Sequence, residues 1–370
     1  MLEHLEQKIL NKILDNCNFS DKKGMIIASP SNDPPYKFHW IRDSALVMRV
    51  FIDLYVRTQE NTYLLKLIDY VENESQIQNL DTLTHLGEPK IRIDRTPYNE
   101  PWGRPQNDGP ALRGINMIKI YNLLKENYKI VSDGILQIIK KDLIYIINNY
   151  DKPCFDLWEE YFGWHFYTRI VQLKFLKDCL DLESKLEVKN VKETYNKLLN
   201  NLKHHIQIDH IISSYDVDGK VSKIDDASIL LGLSHIEYDS EIMKLFDLKI
   251  FLNNCDSLLS YFRNKYDRND LNMIGRYKND EYYDGQLWII CTLGLLQYYL
   301  KLVKSNKFKS LEKICIDVFN YIISIDINFD IAEQYDPVNN KQMSAEKLTW
   351  NYSELYITYK DLKSLNSLKN

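Results

Sequence analysis

"LWIICTLGLLQYYLKLV", residues 287–303, is apolar around nearly its whole circumference when wound as an α-helix. A helix without a polar face has to be covered on every side, and this one is too short and too closely flanked by polar residues to cross a bilayer. It is expected in the inner layer of a helical protein. Residues 135–147, ILQIIKKDLIYII, read differently: Leu136, Ile139, Leu143, Ile146 and Ile147 form one stripe, with Lys140, Lys141 and Asp142 off it. One dry face suits an outer layer. Period counting along the chain finds about a dozen helical segments, and strand-like alternation only in brief stretches such as 211–224. No linker or break in composition divides residues 1–370, so the expected fold is one two-layered all-α domain.

The bulk properties exclude several classes. The chain has 370 residues, 45% of them hydrophobic and 27% charged, enough to bury a large core. Lys plus Arg number 47 against 52 Asp plus Glu, for a net charge of -5, which carries no electrostatic footprint for nucleic acid. The start, MLEHLEQKILNKIL, intersperses charge at helical spacing and reads as a surface helix, not a leader or a membrane anchor. Cys17, Cys154, Cys179, Cys255, Cys291 and Cys315 are scattered without a CxxC pair, as expected of reduced, buried thiols. These features lead to the expectation of a cytoplasmic monomer with no nucleic-acid or membrane partner. The sequons at Asn18, Asn73 and Asn351 carry no weight without a secretory signal. No GxGxxG, P-loop, HExxH or GxSxG pattern is present, and Asp216, Asp218 and Gly219 supply too few ligands for a calcium loop and read as a turn. No cofactor or metal is expected.

Nine of the ten prolines precede residue 154, and 87–114 alone holds five of them with four glycines, which marks a long structured loop of the kind kept for function. Aromatic and charged residues gather there and in four other places: YKFHWIRDSAL (36–46), DLWEE (156–160), GRYKNDEYYDGQLW (275–288) and AEQYDPVNNKQMSAEKLTW (332–350). Flat aromatic faces give a sugar ring an apolar platform, and carboxylates and guanidinium groups give its hydroxyls directional hydrogen bonds. Singly, each cluster has a plainer explanation. Arg42–Asp43 could be a surface ion pair, Trp102 a plug on the core, and Glu159–Glu160 the solvated first turn of a helix. Their recurrence in one chain favours a carbohydrate pocket.

The blocks GEPK…WGRPQNDGPALR, DLWEE, KIDDASILLG, GRYKNDEYYDGQLW and EQYDPVNNKQMSAEKLTWNY resemble, in order, the signatures of the glucoamylases, glycoside hydrolase family fifteen. The resemblance runs from about residue 36 to about 355. It implies an (α/α)6 barrel and an exo-acting, inverting hydrolase that releases β-D-glucose from non-reducing ends of α-1,4-glucans, with no cofactor. It further implies Glu159 as general acid and Glu333 as general base, with Arg42 and Asp43 gripping the terminal glucose. Tyr36 would lie near the attacking water, Trp102 and Trp40 would line the pocket, Glu160, Arg276 and Asp280 would surround the next sugar, and Asp156 is a further substrate-binding candidate. Trp158 and Trp288 would be further pocket-side aromatics. Phe38 stands where the family resemblance leads one to expect tyrosine, and Leu287 where it leads one to expect proline. The chain shows no Ser/Thr-rich linker and no starch-binding domain. Two other readings stay open: action on another α-glucoside such as trehalose or isomaltose, and a non-catalytic glucan-binding domain.

The stretch FDLWEEYFGWHFYT (155–168) also shows a helical period, which would set Trp158, Trp164, Asp156 and Glu160 around Glu159. Desolvation and like charge from such neighbours raise a carboxyl pKa, as a proton donor requires.

Overall fold

The computed structural model describes residues 2–236, 240–246, 248–305 and 308–365. Among them are thirteen α-helices: α1 (Leu2–Cys17), α2 (Ile41–Thr58), α3 (Asn61–Ile77), α4 (Gly109–Leu124), α5 (Lys129–Asn149), α6 (Phe166–Leu180) and the single turn α7 (Glu183–Leu186). They continue with α8 (Val191–Lys203), α9 (Ser228–Ser234), α10 (Leu248–Lys265), α11 (Ile289–Lys304), α12 (Leu311–Ser324) and α13 (Thr349–Ser364). Neighbour relations close a ring: α2 packs on α4, α4 on α6, α6 on α9, α9 on α11, α11 on α13, and α13 back on α2. Outside it, α3 covers α2, α5 covers α4, α8 covers α6, α12 covers α11, and α1 covers α13. Phe251 of α10 meets Tyr298 of α11, with ring centroids 6.0 Å apart. This is an (α/α)6 barrel. Alternation of inner and outer helices makes the six inner ones run in one direction, so the segments that precede them gather at one end.

The inner helix expected at 287–303 is α11, which buries fourteen of its sixteen residues, from Ile289 through Leu300 and then Leu302 and Val303. The outer helix expected at 135–147 is α5, but its dry stripe is Ile135, Ile138, Ile139, Asp142, Leu143 and Ile146, with Leu136 and Ile147 half-buried. Asp142 is therefore inside. Arg113 of α4 holds it through two bonds, Nε to Oδ2 at 2.9 Å and Nη2 to Oδ1 at 2.6 Å, and also reaches Glu74 of α3 at 3.1 Å. Glu74 in turn lies 2.9 Å from Nε2 of His39, whose Nδ1 accepts the Ile26 N–H at 2.9 Å. That last bond requires the proton on Nε2, so His39 donates to Glu74. Burial alone would raise Glu74, yet His39 and Arg113 hold it below the ordinary carboxylate value.

Short strands make up the pocket end. β1 (Phe38–Trp40) pairs antiparallel with β2 (Lys90–Arg92), setting Trp40 opposite Lys90. β3 (Cys154–Phe155), β4 (Phe162–His165), β5 (Ser214–Asp216) and β6 (Val221–Lys223) form a four-stranded sheet in that order. β7 (Leu287–Trp288), β8 (Gln334–Asp336) and β9 (Lys341–Met343) form a third sheet. Trp40, His165 and Trp288 each immediately precede an inner helix, so strand pairing fixes the entry of α2, α6 and α11. The 211–224 stretch is the β5–β6 hairpin, and Asp216 caps its turn by accepting the N–H groups of Asp218 and Lys220.

Candidate active site

At that end lies a cavity of about 370 Å³ whose walls include Tyr36, Trp40, Arg42, Asp43, Trp102, Trp158, Glu159, Glu160, Arg276, Trp288 and Glu333. Eleven of the thirteen residues singled out in the sequence thus meet on one surface. Asp156 and Asp280 do not line it. Asp156 is turned back, accepting the backbone N–H of Glu160 and Tyr161 and lying 3.3 Å from Lys223, so it shapes the turn that carries the glutamates. Asp280 grips Arg276 from behind through bonds of 2.8 and 2.7 Å.

The helical reading of 155–168 does not hold. Residues 154–165 are the β3–β4 hairpin with DLWEE at its tip, and α6 begins only at Phe166. Glu159 sits in left-handed backbone at φ 67°, a conformation unfavourable for a side chain with Cβ and typical of residues held for a purpose. Two glycines permit the arrangement. A Cβ on Gly103 would come within 2.7 Å of the Glu159 carbonyl oxygen, and one on Gly163 within 2.0 Å of the Tyr215 carbonyl oxygen across the sheet. The hairpin also changes Glu159's neighbours. Trp164 points elsewhere, donating to the Asp151 carbonyl. Glu159 Oε1 instead accepts from the Trp40 indole at 2.7 Å and the Gln106 amide at 2.9 Å, with Arg42 Nη2 at 3.5 Å, while Oε2 accepts from the Trp102 indole at 2.6 Å.

Around Arg42 the wall is charged and closely bonded. Its Nη1 donates to Gln106 Oε1 at 2.9 Å and Asp108 Oδ2 at 3.0 Å, and its guanidinium lies 5.8 Å from the Trp350 ring. Nε has no hydrogen-bond partner and lies 3.6 Å from Asp43 Oδ2. Burial pushes Asp43 up to about 6 despite the neighbouring guanidinium. A buried donor without an acceptor, beside a carboxylate with spare lone pairs, suits a ligand that both donates and accepts, as a sugar hydroxyl does.

Arg276 packs against two rings, 5.4 Å from Trp158 and 4.9 Å from Trp288, and its Nη2 meets Glu160 Oε1 at 2.7 Å. Lys223 lies 3.8 Å from Glu160 Oε2, which also accepts from the Tyr277 hydroxyl. Trp158 is held by Asp226, its indole donating at 3.0 Å. Glu333, just before β8, is buried and accepts the Ser344 hydroxyl through Oε2. Desolvation pushes its carboxyl up to about 7, although Ser344, Arg276 and Tyr36 pull the other way.

Several residues escaped individual notice in the sequence. Gln106 and Asp108 orient Arg42, Ser344 holds Glu333, and Tyr282 and Trp350 complete the cavity wall. Lys90 lies under the site with its Nζ 3.0 Å from the Trp102 ring centroid and 4.6 Å from that of Trp40, and burial lowers its pKa to about 8. All of them fall within blocks that carried the resemblance but look like ordinary polar or core residues one at a time.

Residues 5–359 match the family model described as Glycosyl hydrolases family 15. A glucoamylase of Arthroderma benhamiae is 32% identical over 336 residues, covering 83% of this chain and 54% of the relative. A glucoamylase of Saccharomycopsis fibuligera is 30% identical over 376 residues, covering 87% of this chain and 72% of the relative. The chain thus spans about half the length of the first relative and nearly three quarters of the second. A solved glucoamylase structure from Saccharomycopsis fibuligera superimposes with a TM-score of 0.87 at 23% identity, over 100% of this chain and 96% of that one. A Hypocrea jecorina glucoamylase gives 0.83 at 24% identity, over 100% of this chain and 73% of that one. With a family match over nearly the whole sequence and a ring of helices shared with glucoamylase structures, the chain belongs to glycosyl hydrolases family 15.

Proposed function

We propose that the protein is an exo-acting, inverting α-glucan hydrolase that releases β-D-glucose from the non-reducing ends of α-1,4-linked chains. The observation that carries this reading is the convergence of Glu159 and Glu333, far apart in sequence, on one aromatic-walled cavity with Arg42 and Asp43. The names of the glucoamylase relatives point the same way.

Glu159 gives its proton to the glycosidic oxygen as the anomeric C–O bond breaks. Oε1 already takes two N–H bonds with Arg42 nearby, so Oε2, facing only the Trp102 indole, is the oxygen that carries the proton. Glu333 removes a proton from water as the water oxygen bonds to the opposite face of the anomeric carbon, which inverts the configuration. Arg42 and Asp43 hold hydroxyls of the terminal glucose, and Glu160 with Arg276 those of the next sugar. Contacts that tighten as charge develops on the ring lower the barrier.

The test is glucose release from maltotriose, glycogen, isomaltose and trehalose, with NMR on the first product. Maltotriose should yield the β-anomer before mutarotation mixes the forms, and Glu159→Gln should lower turnover by roughly 10²–10⁴ with substrate affinity retained. Initial α-glucose, or near-normal turnover in the variant, refutes the mechanism; preference for trehalose or isomaltose refutes the substrate.

A further inference from the structure

Beyond the carboxylate pocket, a second, smaller cavity of about 120 Å³ opens farther along the barrel. It lies where α9 stops. That helix ends at Ser234 after about two turns, whereas α6 and α11 beside it continue for about four. Arg49 of α2, Asn116 and Lys119 of α4, Lys174 of α6, and Ser234 with His235 line the cavity. Arg49 and Lys119 lie two to three turns beyond the starts of their helices, well away from Glu159 and Glu333.

The lining is cationic from three sides. Arg49 is bonded to Glu354 and Lys174 to Asp178, and those carboxylates offset part of the charge. Lys301 adds a further cation, donating to the carbonyls of Leu233, Ser234 and Ile236 around the end of α9. His235 registers the sum. Burial and then Arg49, Lys301, Lys119 and Lys174 hold it well below its ordinary pKa, so it is neutral and keeps one N–H to donate. The space, several times what one water needs, leaves room for a tetrahedral oxyanion. Lys119 is exposed and Arg49 and Lys174 are half-buried, which leaves the cavity an entrance from solvent.

We propose that this cavity is a binding site for a phosphate group, whose oxygens take charge-assisted hydrogen bonds from Arg49, Lys119 and Lys174 and so tie α2, α4 and α6 together at the gap left by the short α9. None of the residues that touch the proposed glucan takes part, so the site stands or falls apart from the hydrolytic reading.

Thermal unfolding of the whole chain in inorganic phosphate or glucose 6-phosphate, against chloride at matched ionic strength, tests the proposal. Millimolar inorganic phosphate should raise Tm by roughly 2–4 °C in a saturable manner. General exclusion of phosphate from protein surfaces raises Tm without saturating and is common to all variants. Arg49→Gln would strand Glu354 in the core, so Lys119→Gln/Lys174→Gln is the informative change, and it should abolish the saturable part. A calorimetric titration of the native protein should show one phosphate site that this double variant lacks. If glucose 6-phosphate matches inorganic phosphate, the phosphate group is read with its sugar at the mouth; if only inorganic phosphate acts, the free ion is the ligand. An equal saturable rise in the double variant, or none beyond chloride in the native protein, overturns the proposal.

Discussion

Glu333 owes its state to a few atoms. Desolvation holds its carboxyl up to about 7, and the Ser344 hydroxyl is the first of the groups that oppose it. A water-activating base works only when ionised, so kcat/KM should fall as pH drops through about 7. Asp43, pushed up to about 6, adds a second protonation below that and a steeper limb. Ser344→Ala removes a donor to the carboxylate and should move the acid limb to higher pH while leaving the alkaline limb in place; pH–rate profiles of both proteins decide it. An unshifted limb would mean that Ser344 is only structural. Glu333, Arg42 and Trp102 stood out in the sequence because each sits in a block with a distinctive neighbour. Gln106 and Ser344 did not, since nothing in a lone amide or hydroxyl shows which carboxylate lies across the pocket. Asp156 and Asp280 stood out for their charge, but that charge serves the backbone of a turn and the back of a guanidinium.

At the level of elements, periodicity read α11 correctly because a helix apolar all round has a single consistent placement. It failed at DLWEE because Phe155, Trp158 and Phe162 mimic a helical stripe, whereas pairing across β3 and β4 and the left-handed Glu159 decide the hairpin. Those forces act between residues that periodicity does not compare. Asp142 failed for a related reason. A charge inside a helix is read as outward-facing unless its partner is known, and Arg113 lies 29 positions away on another helix. Arg113 spans α3, α4 and α5 through Glu74 and Asp142. Replacing it leaves two buried carboxylates without their cation. Arg113→Leu should cost about 3–5 kcal/mol, measured by denaturant unfolding. Additional Asp142→Asn and Glu74→Gln changes should recover part of that loss, and no recovery would point instead to lost packing.

On the scale of the molecule, the six thiols report how completely the barrel is filled. Cys17, Cys154, Cys179, Cys255, Cys291 and Cys315 are free and buried, and burial pushes each thiol above its ordinary pKa. Alkylation of the folded protein near neutral pH should therefore be slow, and all six should react once it is unfolded in denaturant without reductant. A native disulfide would show as missing label. The ring also has an order of assembly written into it. Its last contact, α13 on α2, joins segments some 300 positions apart, and Glu333 and Ser344 arrive only after most of the wall exists. As the chain leaves the ribosome, α11 emerges with apolar residues on every side before α12 and α13 have been made to cover it. An unfinished chain thus carries the Glu159 half of the pocket, lacks the Glu333 half, and exposes its greasiest helix, so quality control during synthesis has a clear signal to act on, and on the proposed mechanism hydrolysis cannot begin before the circle is complete.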